Sequence, residues 1–146
     1  MGRGEIQPER PSGGQHRRPD VLAAVAAGGA LGAPARYGIA LAVTVEPGTF
    51  PWGTFWINVS GSFVLGVVLA VILARHPGDR YGLTFLATGF LGAYTTYSTF
   101  AVETDLLVRN GHHGLALAYV GASLGAGVAA AWAGLAAGRT VSGSRP

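Results

Sequence analysis

Four long apolar runs, at roughly 21–45, 52–74, 82–108 and 114–137, alternate with short segments that carry proline, glycine and charge. Each run exceeds the roughly 20 residues an α-helix needs to cross about 30 Å of hydrocarbon. The pattern predicts an all-α integral membrane protein with four transmembrane helices. The stretch before Val21, MGRGEIQPERPSGGQHRRPD, has no apolar segment and is rich in glycine, proline and charge, the composition of a disordered tail. The predicted organisation is a tail over 1–20, a membrane unit over 21–137 and a short C-terminal tail over 138–146. No apolar run follows the first arginines within the window of a cleaved leader, so the first span is expected to be retained.

Within the third run, GFLGAYTTYSTF (89–100) sets two glycines, four aliphatic hydroxyls and several aromatic rings in a segment that otherwise reads as a span. Glycine weakens a helix by about 1 kcal/mol, and the Tyr, Thr and Ser residues after Gly92 are poor helix formers. One reading is a continuous helix whose hydroxyls bond back to carbonyls one turn earlier. The other is a break in mid-membrane near Gly92. Backbone groups released at that depth must find partners in protein, water or ions, so a break lines a cavity or pathway. Freed carbonyls suit a hard cation such as Na⁺, whereas hydroxyls and N–H groups suit an anion.

The other runs carry few polar positions. Gly28, Gly32 and Arg36 recur every four residues on one face of the first span, and Gly28 and Gly32 form a GxxxG pair, a common contact between membrane helices. Pro34 is expected to bend this helix before Arg36. An arginine inside a span costs about 2.5 to 3.5 kcal/mol on insertion scales, so Arg36 either faces an interior vestibule or snorkels to the headgroups. On the second span Asn58, Gly61, Ser62 and Gly66 make a small, polar stripe. The Asn58 amide could replace water around a small anion or bond to a neighbouring helix. Tyr97 and Phe100 share a face; presented edge-on, such rings stabilise an anion, and otherwise they simply pack. Glu103 would sit at the mouth of whatever that face lines, and Tyr119, Ser123 and Gly127 align on the fourth span, opposite a Gly121 and Gly125 pair.

Composition agrees with a bilayer: 49% of the 146 residues are hydrophobic and 12% charged, where a soluble domain has about a quarter charged. With no cysteine, disulfides and thiolate metal sites are excluded. The net charge of +3 does not mark a nucleic-acid binder, because the arginines sit at membrane boundaries rather than on one patch. An enzyme is not expected, since no nucleophile and base pair or metal-ligand cluster is present, and the adjacent His112 and His113 lack a third ligand.

Taken in order, GGALGAPARY, PWGTFWINVSGSFVLG and GFLGAYTTYSTFAVE resemble the CrcB or Fluc family of fluoride channels over roughly residues 25 to 137. The resemblance implies a third helix broken mid-membrane and an antiparallel dimer of four-helix subunits. It also implies two fluoride pathways and one structural Na⁺ between the subunits, held by the backbone carbonyls of Gly92 and Thr95. Fluoride would pass Asn58, Tyr97, Ser98, Thr99 and Phe100, with Arg36 in a vestibule and Glu103 and Ser123 as further candidates. Tyr97 stands where the family pattern usually has phenylalanine. The implied function is passive efflux of cytoplasmic fluoride across the cell membrane.

Charge predicts orientation. With four spans both termini share a side, and that side carries Arg3, Arg10, Arg17, Arg18, Arg75, Arg80, Arg139 and Arg145 against Arg109 on the other. The positive-inside rule puts both termini in the cytoplasm. Such a bias favours one orientation, so an antiparallel unit would be a heterodimer with a related subunit of opposite bias. Two rivals are a small four-helix multidrug exporter, for which the first span has Arg36 in place of an embedded acid, and a noncatalytic membrane assembly factor.

Overall fold

The computed structural model describes residues 18–43 and 46–143. Most of the N-terminal tail (1–17), the end of the first apolar run (44–45) and the last three residues of the C-terminal tail (144–146) lie outside the described residues. Arg3, Arg10, Arg17 and Arg145 fall there too.

The described residues form six α-helices and one π-helical segment, in the order α1 (Pro19–Ala42), α2 (Trp52–Arg75), α3 (Arg80–Leu83), the π-helix (Thr84–Leu91), α4 (Gly92–Tyr94), α5 (Ser98–Arg109) and α6 (His113–Ser142). Both α2 and α6 are long and apolar enough to cross a membrane. α1 matches α2 in length and runs through Pro34 without interruption. The third apolar run is not one helix: α3, the π-helix and α4 lead to a non-helical step, after which α5 continues.

Packing is set by backbones that come unusually close. α6 lies along α2, and α1 lies along the π-helix and α4. A Cβ built on Gly32 would sit 2.1 Å from the Phe90 carbonyl oxygen, and one on Gly28 would sit 2.3 Å from that of Phe85. The glycine pair expected on α1 is therefore a contact face within the chain. The second seam uses Gly134 of α6, where a Cβ would meet the Phe63 carbonyl oxygen at 2.1 Å. Gly121 and Gly125, by contrast, have open space where a side chain would go. Without a hydrophobic drive between helices in lipid, close van der Waals approach of this kind is what holds them together.

The two ends of the bundle differ in charge. At one end Tyr81 donates to Asp20 and Arg75 donates to the Val141 carbonyl, which gathers the start of α1, the end of α2, α3 and the end of α6. Arg18, Arg75 and Arg139 therefore belong to that end. At the other, Arg109 pairs with Asp105 at 2.6 Å on the exposed surface. An aromatic and aliphatic cluster built on Phe55, Leu107, Ala116 and Tyr119 fills this second end beneath the interruption.

Candidate functional site

The third run is interrupted at Thr95–Tyr97 rather than at Gly92. Gly92 keeps helical angles (φ −62°, ψ −33°), whereas Thr95 is extended (φ −76°, ψ 161°). A glycine permits a break without requiring one; the departure occurs where side chains compete for the backbone. Asn58 is the main competitor. Its Oδ1 accepts the Thr96 N–H and its Nδ2 donates to the Thr96 carbonyl, each at 2.9 Å. Thr96 also supplies a hydroxyl that accepts the Thr99 N–H at 3.2 Å and donates to the Thr99 hydroxyl at 3.0 Å. In an unbroken helix the Thr96 N–H would bond to Gly92 and the Thr99 N–H to Thr95. Both donors are diverted, so the carbonyls of Gly92 and Thr95 lose their helical partners.

Neighbouring elements make room for this geometry. A Cβ on Gly61 would lie 2.4 Å from the Thr95 side-chain methyl, so α2 accepts the extended residue only because position 61 has no side chain. The Thr95 amide and hydroxyl both bond to the Leu91 carbonyl at 2.9 Å, which ends the preceding helix. Tyr94 stacks on Phe90 at 6.0 Å and meets the Ser60 hydroxyl at 2.9 Å, tying the same turn to α2.

A cavity of about 410 Å³ opens beside the interruption, lined among others by Asn58, Gly92, Thr95, Tyr97, Phe100 and Ser123. The Ser123 hydroxyl is buried and has no hydrogen-bond partner among the described residues. Phe100 packs at 5.1 Å from the Tyr119 ring, while Tyr97, its ring 6.2 Å from that of Phe100, is 81% exposed. A smaller cavity of about 170 Å³ is lined by Arg36, Thr54, Thr96 and Thr99, so Thr96 borders both spaces. Arg36 makes no ion pair among the described residues.

Glu103 lies one helical turn beyond Phe100. Its two carboxylate oxygens accept from the Thr54 hydroxyl at 2.9 Å and the Tyr119 hydroxyl at 2.7 Å, and it borders a third cavity of about 220 Å³. Tyr119 is fully buried. This arrangement satisfies a half-buried carboxylate without a cation.

Eight of the residues singled out in the sequence therefore meet at the large cavity, Gly61 and Ser62 of the α2 stripe among them, and Thr99 joins Arg36 at the small one. Ser98 is exposed, with its hydroxyl 3.3 Å from that of Thr96. Two side chains of this region were not among them, Thr96 and Thr54, and Tyr119 was aligned with Ser123 but given no role. Thr54 carries a signal, because it precedes Asn58 by four residues and so extends that polar stripe by one turn. Thr96 has no such mark among four neighbouring hydroxyls.

Helices able to cross a bilayer, together with a third helix divided beside a cavity, define a helical membrane protein. The chain belongs to the CrcB-like family (Camphor Resistance, CrcB), whose model matches residues 23–135. It is 50% identical to fluoride-specific ion channel FluC 3 of Streptomyces avermitilis over 84% of this chain and 60% of that protein. It is 44% identical to FluC of Acidobacterium capsulatum over 80% of this chain and 94% of that protein. With FluC of Cereibacter sphaeroides it shares 49% identity over 80% of this chain and 92% of that protein. The chain thus spans about three fifths of the Streptomyces relative and most of the other two.

Proposed function

We propose that this chain is one subunit of a fluoride-selective channel that lets cytoplasmic fluoride leave the cell passively. The observation that supports it best is the large cavity, where an unpartnered buried hydroxyl, the ring of Phe100 and the start of α5 adjoin a helix interruption. Fluoride is small and strongly hydrated, and its transfer into low dielectric is prohibitive unless several donors replace its water in succession. Ser123, the free N–H of Asn58, ring edges and the Ser98 and Thr99 hydroxyls are donors of that kind, and the N-terminal end of α5 adds a favourable dipole. No lysine occurs in the chain and Arg36 stands off in the smaller cavity, which suits weak, sequential binding better than one deep cationic trap. Such a protein makes and breaks no covalent bond and is not an enzyme.

In this reading the four apolar runs are four spans, the third being divided, and the subunit pairs with an antiparallel partner. The carbonyls of Gly92 and Thr95 would hold a structural Na⁺ between the two. They fit that ion chemically, as hard oxygen donors whose helical N–H partners bond elsewhere. A bound Na⁺ supplies a fixed positive charge beside the anion route. Tyr97 adds a hydroxyl where relatives of the resembling pattern usually present a bare ring, and so tunes the width or polarity of the route. Liposomes loaded with fluoride or chloride and containing the purified protein give the direct test. Fluoride should escape and chloride should stay, as read with ion-selective electrodes; equal escape of both ions would reject selectivity.

The arginine bias puts the end holding Arg18, Arg75 and Arg139 in the cytoplasm, and with it both termini. One fixed orientation cannot make an antiparallel homodimer, so the partner is a related chain of opposite bias. Expressed alone in a fluoride-sensitive host, this chain should restore little growth on fluoride. Full rescue without a partner would end the heterodimer reading and leave the channel reading intact.

A further inference from the structure

We infer that Asn58 and Thr96 are positioning residues: their side chains stand in for the helical partners at the interruption and so keep the Gly92 and Thr95 carbonyls available as oxygen ligands. The inference rests on the Na⁺ site proposed above and assigns Asn58 a role in addition to that of an anion donor.

A carboxamide offers one acceptor and one donor in a common plane, the same pattern a peptide group offers. Asn58 uses both on a single residue, taking the N–H and the C=O of Thr96 at equal distances of 2.9 Å. That pairing satisfies a buried backbone pair that would otherwise regain partners only by closing the helix. Closure would return the Thr96 N–H to the Gly92 carbonyl. Thr96 does the equivalent service one turn on, where its hydroxyl holds the Thr99 N–H away from the Thr95 carbonyl. The two carbonyls proposed as ligands are the two whose donors these side chains divert. Gly61, three residues after Asn58, completes the device by leaving space for the extended Thr95.

The chemistry predicts which replacements fail. Asn58→Asp keeps an acceptor for the Thr96 N–H but turns a second acceptor toward the Thr96 carbonyl. Asn58→Ala removes both partners. Thr96→Val keeps the side chain's shape and deletes only the hydroxyl.

The test is thermal unfolding of the purified channel in NaCl against choline chloride, run beside fluoride flux. Wild type should melt higher in Na⁺, because an ion that binds only the folded state stabilises it. Asn58→Ala and Thr96→Val should each raise the Na⁺ concentration that gives half of that effect by about tenfold or more, the equivalent of one lost buried hydrogen bond. Phe100→Ile should lose flux and keep the wild-type Na⁺ response. Variants that lose flux at Asn58 while keeping the wild-type Na⁺ response would overturn the inference and leave Asn58 an anion ligand only. If Asn58→Ala does not fold, Thr96→Val alone decides, since an unchanged Na⁺ response there refutes the shared mechanism. A wild-type protein indifferent to Na⁺ would instead remove the cation site itself, whatever the variants do.

Discussion

Phe100→Ile should reduce fluoride flux by about tenfold or more, a rise of at least ~1.4 kcal/mol in the barrier, while the subunit still folds and assembles. Phe100 borders the large cavity and is held in place by Tyr119 at 5.1 Å. Its ring carries a positive edge, and an anion stripped of water gains from that edge what an aliphatic chain cannot supply. Isoleucine keeps much of the apolar volume, so the cluster with Leu107 and Tyr119 retains its filling. Flux into chloride-free buffer from fluoride-loaded liposomes, together with gel filtration of the variant, separates conduction from folding. Flux equal to wild type would move the route away from this ring.

The second large effect falls on stability. Gly32→Val should cost about 3 kcal/mol or more, the upper part of the range for overpacked interiors. A Cβ there would lie 2.1 Å from the Phe90 carbonyl oxygen, and a backbone atom held in the π-helix cannot swing aside as a side-chain end can. α1 would have to separate from the π-helix, and the interruption downstream would lose its support. Gly121→Ala is the matched control, because nothing lies within 4 Å of the added carbon. Melting of the two detergent-purified variants should differ by many degrees, with Gly121→Ala close to wild type. If both melt alike, close packing at Gly32 does not hold this helix pair.

The π-helix itself was not legible. Thr84–Leu91 continues for eight residues, longer than the single turn in which this geometry usually appears. Its residues, TFLATGFL, are as apolar as any ordinary span, and no residue in them demands i→i+5 bonding. The segment packs closely against Gly28 and Gly32 of α1. The interruption was legible as a region and misplaced by three residues, since the sequence marks Gly92 as permissive and the structure departs at Thr95. What moves the break is Asn58, 38 positions earlier in the chain.

From residues alone, hydropathy and its period determine four apolar runs, the small faces at Gly28, Gly32 and Gly61, the polar stripes through Asn58 and Ser123, and the uneven arginines at the two ends. Those are properties of single helices, where spacing along the chain is spacing on a surface. The tertiary structure decided which glycines touch, why Glu103 is satisfied by Thr54 and Tyr119, and which carbonyls the interruption releases. Each depends on hydrogen bonds or contacts between segments distant in sequence, and such a pairing exists only once the helices have packed.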